Sequence, residues 1–274
     1  MLSVLFPDDI RSQSSVGIGY GISVYGGDLG QPSIIDDFKM AGLAFNIHYK
    51  LQLTQSLKAR LSLYTGQISG DDRVSSVAAQ RSRNLRFQNN LAELSLGGEF
   101  DFSQKFLGHT PLSLYAIGAV SLYRSNPTTE YNGVRYELRE LNTENQINSY
   151  ALYHPSLQIG GGVEFSLNEA ISINFELIAR LSNNDFIDDV SGIYPNFNTT
   201  LQQQGRLSAN LSDRRDEFAG LPEGTTDIPG IGDNNRRGNP SSTDYFITGV
   251  INVIVDLNTN GYGNKYGVSC PSLF

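Results

Sequence analysis

Tryptophan is absent from this chain of 274 residues, and cysteine occurs once, at Cys270. A lone cysteine excludes an internal disulfide; Cys270 is read as a free thiol or as the source of an intermolecular bond. Histidine is scarce: His48, His109 and His154 lie far apart, and none has a partner at metal-ligand spacing. Charged residues make up 18 %, below the roughly one quarter usual in soluble domains. No run approaches the ~18 apolar residues that a spanning helix needs. Basic residues are outnumbered, 20 against 28 acidic ones, for a net charge of −8. Phosphate backbones are bound by clustered Lys and Arg, so nucleic acid is excluded as a partner. The short basic run 81–86 sits in a polar stretch and reads as a solvated or headgroup-facing loop. The start, Met1 to Asp9, lacks the basic end and the long apolar core of a secretory signal. The chain is therefore read as processed, truncated or re-started, and its export is inferred from strand pattern alone.

What is present is glycine, tyrosine and phenylalanine, at 28, 14 and 14 residues, and a persistent period of two. Val16, Ile18, Tyr20, Ile22 and Val24 share one face, with Gly17, Gly19, Gly21 and Ser23 on the other. Such alternation marks a strand. Seven further segments repeat it: about 40–51, 57–66, 93–102, 112–122, 157–165, 171–181 and 245–257. The connections between them alternate in length. Those at about 28–39, 67–86, 125–154 and 184–243 are long, and those near Gln55, Gln104 and Asn168 are short. A soluble sandwich has no reason to sort its loops this way; an outer-membrane barrel does, because hairpins open to opposite sides in turn. The fold class is all-β: an eight-stranded antiparallel transmembrane β-barrel with short periplasmic turns and long extracellular loops. The expected divisions are an N-terminal periplasmic segment at 1–15, the outer-membrane barrel at 16–257 and a periplasmic tail at 258–274. An even strand count puts both termini on the periplasmic side. Tyr49, Phe100, Phe102 and Phe165 supply a partial aromatic girdle at that end, and Tyr245 marks the other.

The inward faces collect Lys50, Lys58, Arg60 and Arg180 beside Glu93, Glu99, Glu164, Glu176 and Asp256. Eight strands leave a lumen only wide enough for side chains. Isolated buried charges are costly, so these residues are expected to pair as a structural plug, in preference to a proton or ion pathway. A passive porin is disfavoured. No catalytic, cofactor or metal residues are assigned, and no small-molecule substrate is implied. His154 and Ser156 lie close in sequence at the start of a strand, but nothing positions a third member of a hydrolase site. The acidic clusters at Asp36-Asp37, Asp71-Asp72 and Asp185 with Asp188-Asp189 lack the spacing of a calcium loop.

The loops carry a further signal. Tyr25-Gly26-Gly27-Asp28-Leu29-Gly30 closes the first strand, and Phe87-Gln88-Asn89-Asn90-Leu91-Ala92-Glu93-Leu94 opens the fourth. Asp188-Asp189-Val190-Ser191-Gly192-Ile193-Tyr194-Pro195, Leu207 to Arg214, Arg237-Gly238-Asn239-Pro240 and Asp244-Tyr245-Phe246 follow in order. Together these motifs resemble the PorG-like family of outer-membrane barrels, associated with the type IX protein secretion system. The resemblance spans about Val16 to Leu257. It implies a non-catalytic anchor that ties a periplasmic ring of the secretion machine to the outer membrane, with lipid and protein components of that complex as partners. The implied partner surfaces are the short turns near Gln55, Gln104 and Asn168, and the tails, including Cys270. The alternatives are a stand-alone structural or adhesive barrel and an outer-membrane enzyme that uses His154. From the turn formers Gly192, Gly238 and Asn239-Pro240, the last long loop is expected to fold over the barrel mouth.

Overall fold

The computed structural model describes residues 13–29, 38–102, 111–225 and 236–257. Among them ten strands form one antiparallel sheet: β1 (Ser14–Gly26), β2 (Gly42–Gln52), β3 (Leu57–Asp71), β4 (Arg86–Asp101), β5 (Leu112–Arg124), β6 (Pro127–Tyr131), β7 (Val134–Glu137), β8 (Tyr153–Ser166), β9 (Ile171–Ser182) and β10 (Tyr245–Asp256). Eight of these close on themselves in the order β1, β2, β3, β4, β5, β8, β9, β10, and β10 returns to β1. Ile18 has Ile47 of β2 on one side and Val253 of β10 on the other. Closure removes every barrel edge, which is the condition for strands to cross a bilayer.

The period of two becomes an inside and an outside. Ile18, Leu43, Leu61, Leu96, Val120, Ile159, Leu177 and Ile251 point outward and are exposed. Their inward neighbours, Gly19, Asn46, Arg60, Ser95, Ser121, Gln158, Glu176 and Asn252, are buried or nearly so. An exposed aliphatic belt around a closed barrel is stable only against lipid. The chain is thus an eight-stranded antiparallel transmembrane β-barrel. Tyr49, Phe100 and Phe165 stand outward at the short-turn end, and Tyr153 joins Tyr245 at the other. Gly19 shows how crowded the lumen is: a Cβ there would lie 1.9 Å from Asn252 Oδ1 and 2.3 Å from Asn46 Oδ1.

Three connections differ from the sequence expectation. The 67–86 stretch is not all loop, because β3 and β4 stay paired up to Asp71 and Arg86. Along this extension the outward residues turn polar (Thr65, Gln67 and Ser69, facing Gln88 and Asn90), while Ile68, Phe87 and Leu91 are buried inside. The apolar face has changed sides, as expected where a ladder leaves lipid for water. The 125–154 stretch contains the β6–β7 hairpin, turned at Asn132 and Gly133 with φ of 51° and 76°. Those values suit a mirror-image two-residue turn, which Asn-Gly favours. The hairpin continues the wall through Gln88 and Thr128. The 184–243 stretch carries α2 (Phe197–Gln203), α3 (Arg206–Ser212) and α4 (Arg215–Ala219), while α1 (Ala78–Arg83) lies between β3 and β4. At their ends Asn84 and Gly220 adopt the left-handed conformation.

Candidate functional sites: a charge-paired lumen and a loop cap

The lower lumen is built from side chains that parity alone turns inward on six strands. Lys50 of β2 places Nζ 2.7 Å from Glu99 Oε2 and 3.6 Å from Glu164. Lys58 and Arg60 of β3 also reach Glu99, at 3.3 and 3.5 Å. Arg60 is bidentate to Glu176 of β9, with both contacts at 2.7 Å. The unused lone pairs of Glu176 accept Tyr115 Oη at 2.8 Å and Asn174 Nδ2 at 3.0 Å. His48 Nδ1 lies 3.3 Å from Arg60 Nη2. Three cations thus meet three carboxylates, and the charges cancel.

A second pair lies higher. Arg180 of β9 holds Glu93 of β4 with two 3.0 Å contacts, and Gln158 donates to the same carboxylate. Its guanidinium stacks 4.2 Å from the Tyr64 ring and gives Nη1 to Thr248 at 2.5 Å. Both Glu93 contacts come from the one Nε–H of Arg180, whereas Arg60 sets two nitrogens on Glu176; that fork and the stacked guanidinium are geometries that lysine cannot supply. Asp256 is half-buried at the end of β10, in register with Ser15.

Of the residues assigned to partner contacts, Gln55 and Asn168 are exposed in the short turns 53–56 and 167–170. Asn168 Oδ1 accepts the Ala170 and Ile171 amides at 2.8 and 2.9 Å, so it shapes its turn. Gln104, Cys270, Asp36 and Asp37 lie outside the described residues. His154 Nε2 contacts the Ala151 carbonyl at 2.7 Å, and Ser156 Oγ pairs with Ser121 Oγ at 2.5 Å. The two are not joined as a base and a nucleophile.

The other rim is a folded cap. Tyr25, Leu29, Ile68, Leu85, Phe87, Leu91, Tyr123, Leu138, Ile187, Val190, Leu211 and Phe246 form one buried apolar cluster that draws on every long connection. Around it run ion pairs within and between the connections. Arg237 is 2 % exposed and reaches Glu144 at 3.0 Å and Asp189 at 3.3 Å. Glu144 in turn accepts the Ser191 and Gly192 amides. Arg83 binds Asp72 at 2.7 Å and donates to the Asp28 and Arg237 carbonyls. Arg214 pairs with Glu217 at 2.6 Å and Arg215 with Asp213 at 2.6 Å. Burial lifts the Asp189 carboxyl to about 6, although Arg237 and the hydroxyls of Thr143 and Tyr150 pull it down. The roles of Glu144 and Tyr25 had no sequence signal, because their partners come from other connections, and the Asp72–Arg83 pair joins two ends of one connection eleven residues apart.

A family model described as "Domain of unknown function (DUF6089)" matches residues 1–214. No curated protein matches the sequence. Among solved structures, the barrel is similar to Neisserial surface protein A, at 10 % identity and TM-score 0.44, over 88 % of this chain and 96 % of that one. It is also similar to Ail, the attachment invasion locus protein of Yersinia pestis, crystallised with the heparin analogue sucrose octasulfate, at 11 % identity and TM-score 0.41, over 90 % and 99 %. The N-terminal β-barrel domain of Pseudomonas aeruginosa OprF gives 12 % identity and TM-score 0.36, over 90 % and 99 %.

Proposed function

This chain belongs to the DUF6089 family and is an outer-membrane barrel, and from that premise we propose that it is a non-catalytic anchor in an outer-membrane protein assembly. The observation that carries the reading is the filled lumen. Lys50, Lys58, Arg60, Glu99, Glu164 and Glu176 meet across the lumen as paired charges, the arrangement expected of a plug and not of an aqueous pore. A barrel with a closed bore acts through its rims. The motifs shared with PorG-like barrels favour one assembly, the type IX secretion machinery, in which the chain would link a periplasmic ring to the outer membrane. In this reading the short turns carrying Gln55, Gln104 and Asn168, both termini and Cys270 face the periplasm, and the long loops face outward.

The test is affinity capture of the full chain after mild detergent extraction. Periplasmic proteins at fixed stoichiometry are the expected result. A chain recovered alone would overturn the anchor reading, and step-like conductance in planar bilayers would overturn the sealed lumen. A second reading is favoured by the packed cap: a stand-alone structural or adhesive barrel that uses its outer loops. It predicts no periplasmic partner and a loss of surface attachment when the 184–243 connection is removed.

A further inference from the structure

One phenolic oxygen near the cap has two carboxylate neighbours. Tyr25 Oη lies 2.6 Å from Asp188 Oδ2 and 2.7 Å from Asp244 Oδ1. Both are full hydrogen-bond distances. A phenol has one hydrogen to give, and an ionised carboxylate can only accept. Tyr25 can therefore satisfy one of the two contacts, and the other requires a proton on a carboxyl group. The remaining lone pairs face backbone amides: Leu29 N at 3.2 Å and Val190 N at 2.8 Å from Asp188, and Ile187 N at 3.1 Å from Asp244. Tyr25, Asp188 and Asp244 are 4, 1 and 1 % exposed.

The charged groups nearby do not neutralise the pair. Asp28 comes from the β1–β2 connection, Asp185 and Asp189 from the connection after β9, and Glu144 from that before β8; all four are acidic. Arg83 is engaged by Asp72, and Arg237 by Glu144 and Asp189. Arg86 and Arg214 line a small cavity with Asp188, but Arg86 donates to the Glu130 carbonyl and Arg214 pairs with Glu217. Among the described residues no salt bridge reaches Asp188 or Asp244.

We propose that Tyr25, Asp188 and Asp244 form a proton-held latch, which clamps the β9–β10 connection onto the end of β1 and releases the cap when the proton leaves. The three groups come from β1, from the start of the long connection and from its last residue before β10, so the latch ties both ends of that connection to the wall. Burial, then the neighbouring Asp244 charge, raises Asp188 well above the carboxylate range; burial raises Asp244 to about 7. In an opened cap both carboxyls meet water and ionise near the ordinary value of about 4. The closed state thus holds more protons than the open one at intermediate pH. The clamp is complete below about pH 4, weakens as pH rises and is lost once pH passes the closed-state value.

The test is hydrogen exchange of the Leu29, Ile187 and Val190 amides in the full chain, folded in detergent micelles, corrected for intrinsic rates. Release of one proton per opening predicts protection that falls about tenfold per pH unit between about pH 5 and 7. Asp244→Asn puts a permanent donor beside Tyr25, and it should flatten that slope while keeping the cap closed; Asp188→Asn should flatten it too but loosen the cap, because both Asp188 oxygens already accept backbone amides. Infrared spectra of the wild type at mildly acidic pH should show the carbonyl stretch of a protonated buried carboxyl, lost in both variants. A flat wild-type slope, an unchanged slope in the variants or a missing carboxyl band would each overturn the latch. The wild-type slope and band decide the matter even where a variant does not fold.

Discussion

The lower barrel and the cap are built by opposite rules on one continuous set of strands. On β3, the residues Leu57, Leu61 and Leu63 face outward while Lys58 and Arg60 face in; farther along, Thr65, Gln67 and Ser69 face outward while Ile68 faces in. Nothing in the ladder changes between the two halves, since β3 and β4 stay in one register from Leu57–Phe100 to Asp71–Arg86. What changes is the medium outside. Against lipid, burying an aliphatic side chain in protein gains almost nothing, so the interior is free to be polar provided each charge is matched. Against water, the outward face has to be polar and the interior supplies the hydrophobic drive. The protein's larger apolar cluster therefore lies in the cap and upper barrel, and its membrane half is held by hydrogen bonds and ion pairs beside a small cluster of Tyr115, Ile117 and Ile178.

The strongest way to break this comparison is to remove one member of the lumen network. Arg60→Ala leaves Glu176 without its cation and removes one of the three cations at Glu99, and loss of one partner from a buried pair costs roughly 3–5 kcal/mol. Urea unfolding in vesicles should report a loss of that size. Replacing Arg60 and Glu176 together by methionine and leucine should recover most of it, because a matched apolar pair avoids the orphaned charge. If the double variant were as unstable as the single one, the network would be contributing specific attraction beyond charge matching.

The cap responds differently. Leu211 is 1 % exposed in α3 and packs into the shared apolar cluster. Leu211→Ala should cost about 2–5 kcal/mol by transfer and cavity terms. The loss should stay local: protease cleavage within 184–243 should rise, while the membrane half keeps its folded mobility in unheated gels. Global unfolding of the barrel at the same denaturant concentration would mean that the two halves form one cooperative unit.

How much of this the sequence disclosed follows the same division. Wherever lipid forms one face, the pattern is strict, so Ile18-Gly19-Tyr20-Gly21-Ile22 and Ile171 to Leu181 are legible as strands without any partner. Parity also sorts Lys50, Arg60, Glu99, Glu176 and Arg180 to the inside, although which acid meets which base depends on register and on distance across the lumen. The extension of β3 and β4 is hidden because its faces are reversed, and a reader following the outward aliphatic residues stops at Leu63. The Asn132-Gly133 turn carries a hairpin signal, but the two strands it joins have five and four residues, too few for the period of two to stand out. The helices α2, α3 and α4 are each under two turns and too short for a helical period to emerge. The cap contacts join residues far apart in the chain, such as Tyr25 with Asp244, at a separation of 219 positions, and no local pattern reports that.

The boundary between the two regimes can be located with single charges on the outward face. Leu96 stands in the middle of the apolar run of β4, beside Leu61 of β3, and is 61 % exposed toward lipid. Gln67 faces the same way on β3 but lies beyond Thr65, paired with Asn90 and donating to its Oδ1 at 3.1 Å. A lysine on the lipid face costs about 2–4 kcal/mol at the bilayer midplane and about 0–1 kcal/mol near its edge. Leu96→Lys should therefore show the full penalty in vesicle-based unfolding, and Gln67→Lys almost none, although only a few residues along the ladder separate the two sites. Scanning lysine through Leu61, Leu63 and Thr65 should then show a step after Leu63, where the outward side chains change from leucine to threonine. A gradual decline from Leu61 to Ser69 instead would place the outer water interface across the extension, and the apolar inner face around Ile68 and Phe87 would then need a cause other than the change of medium.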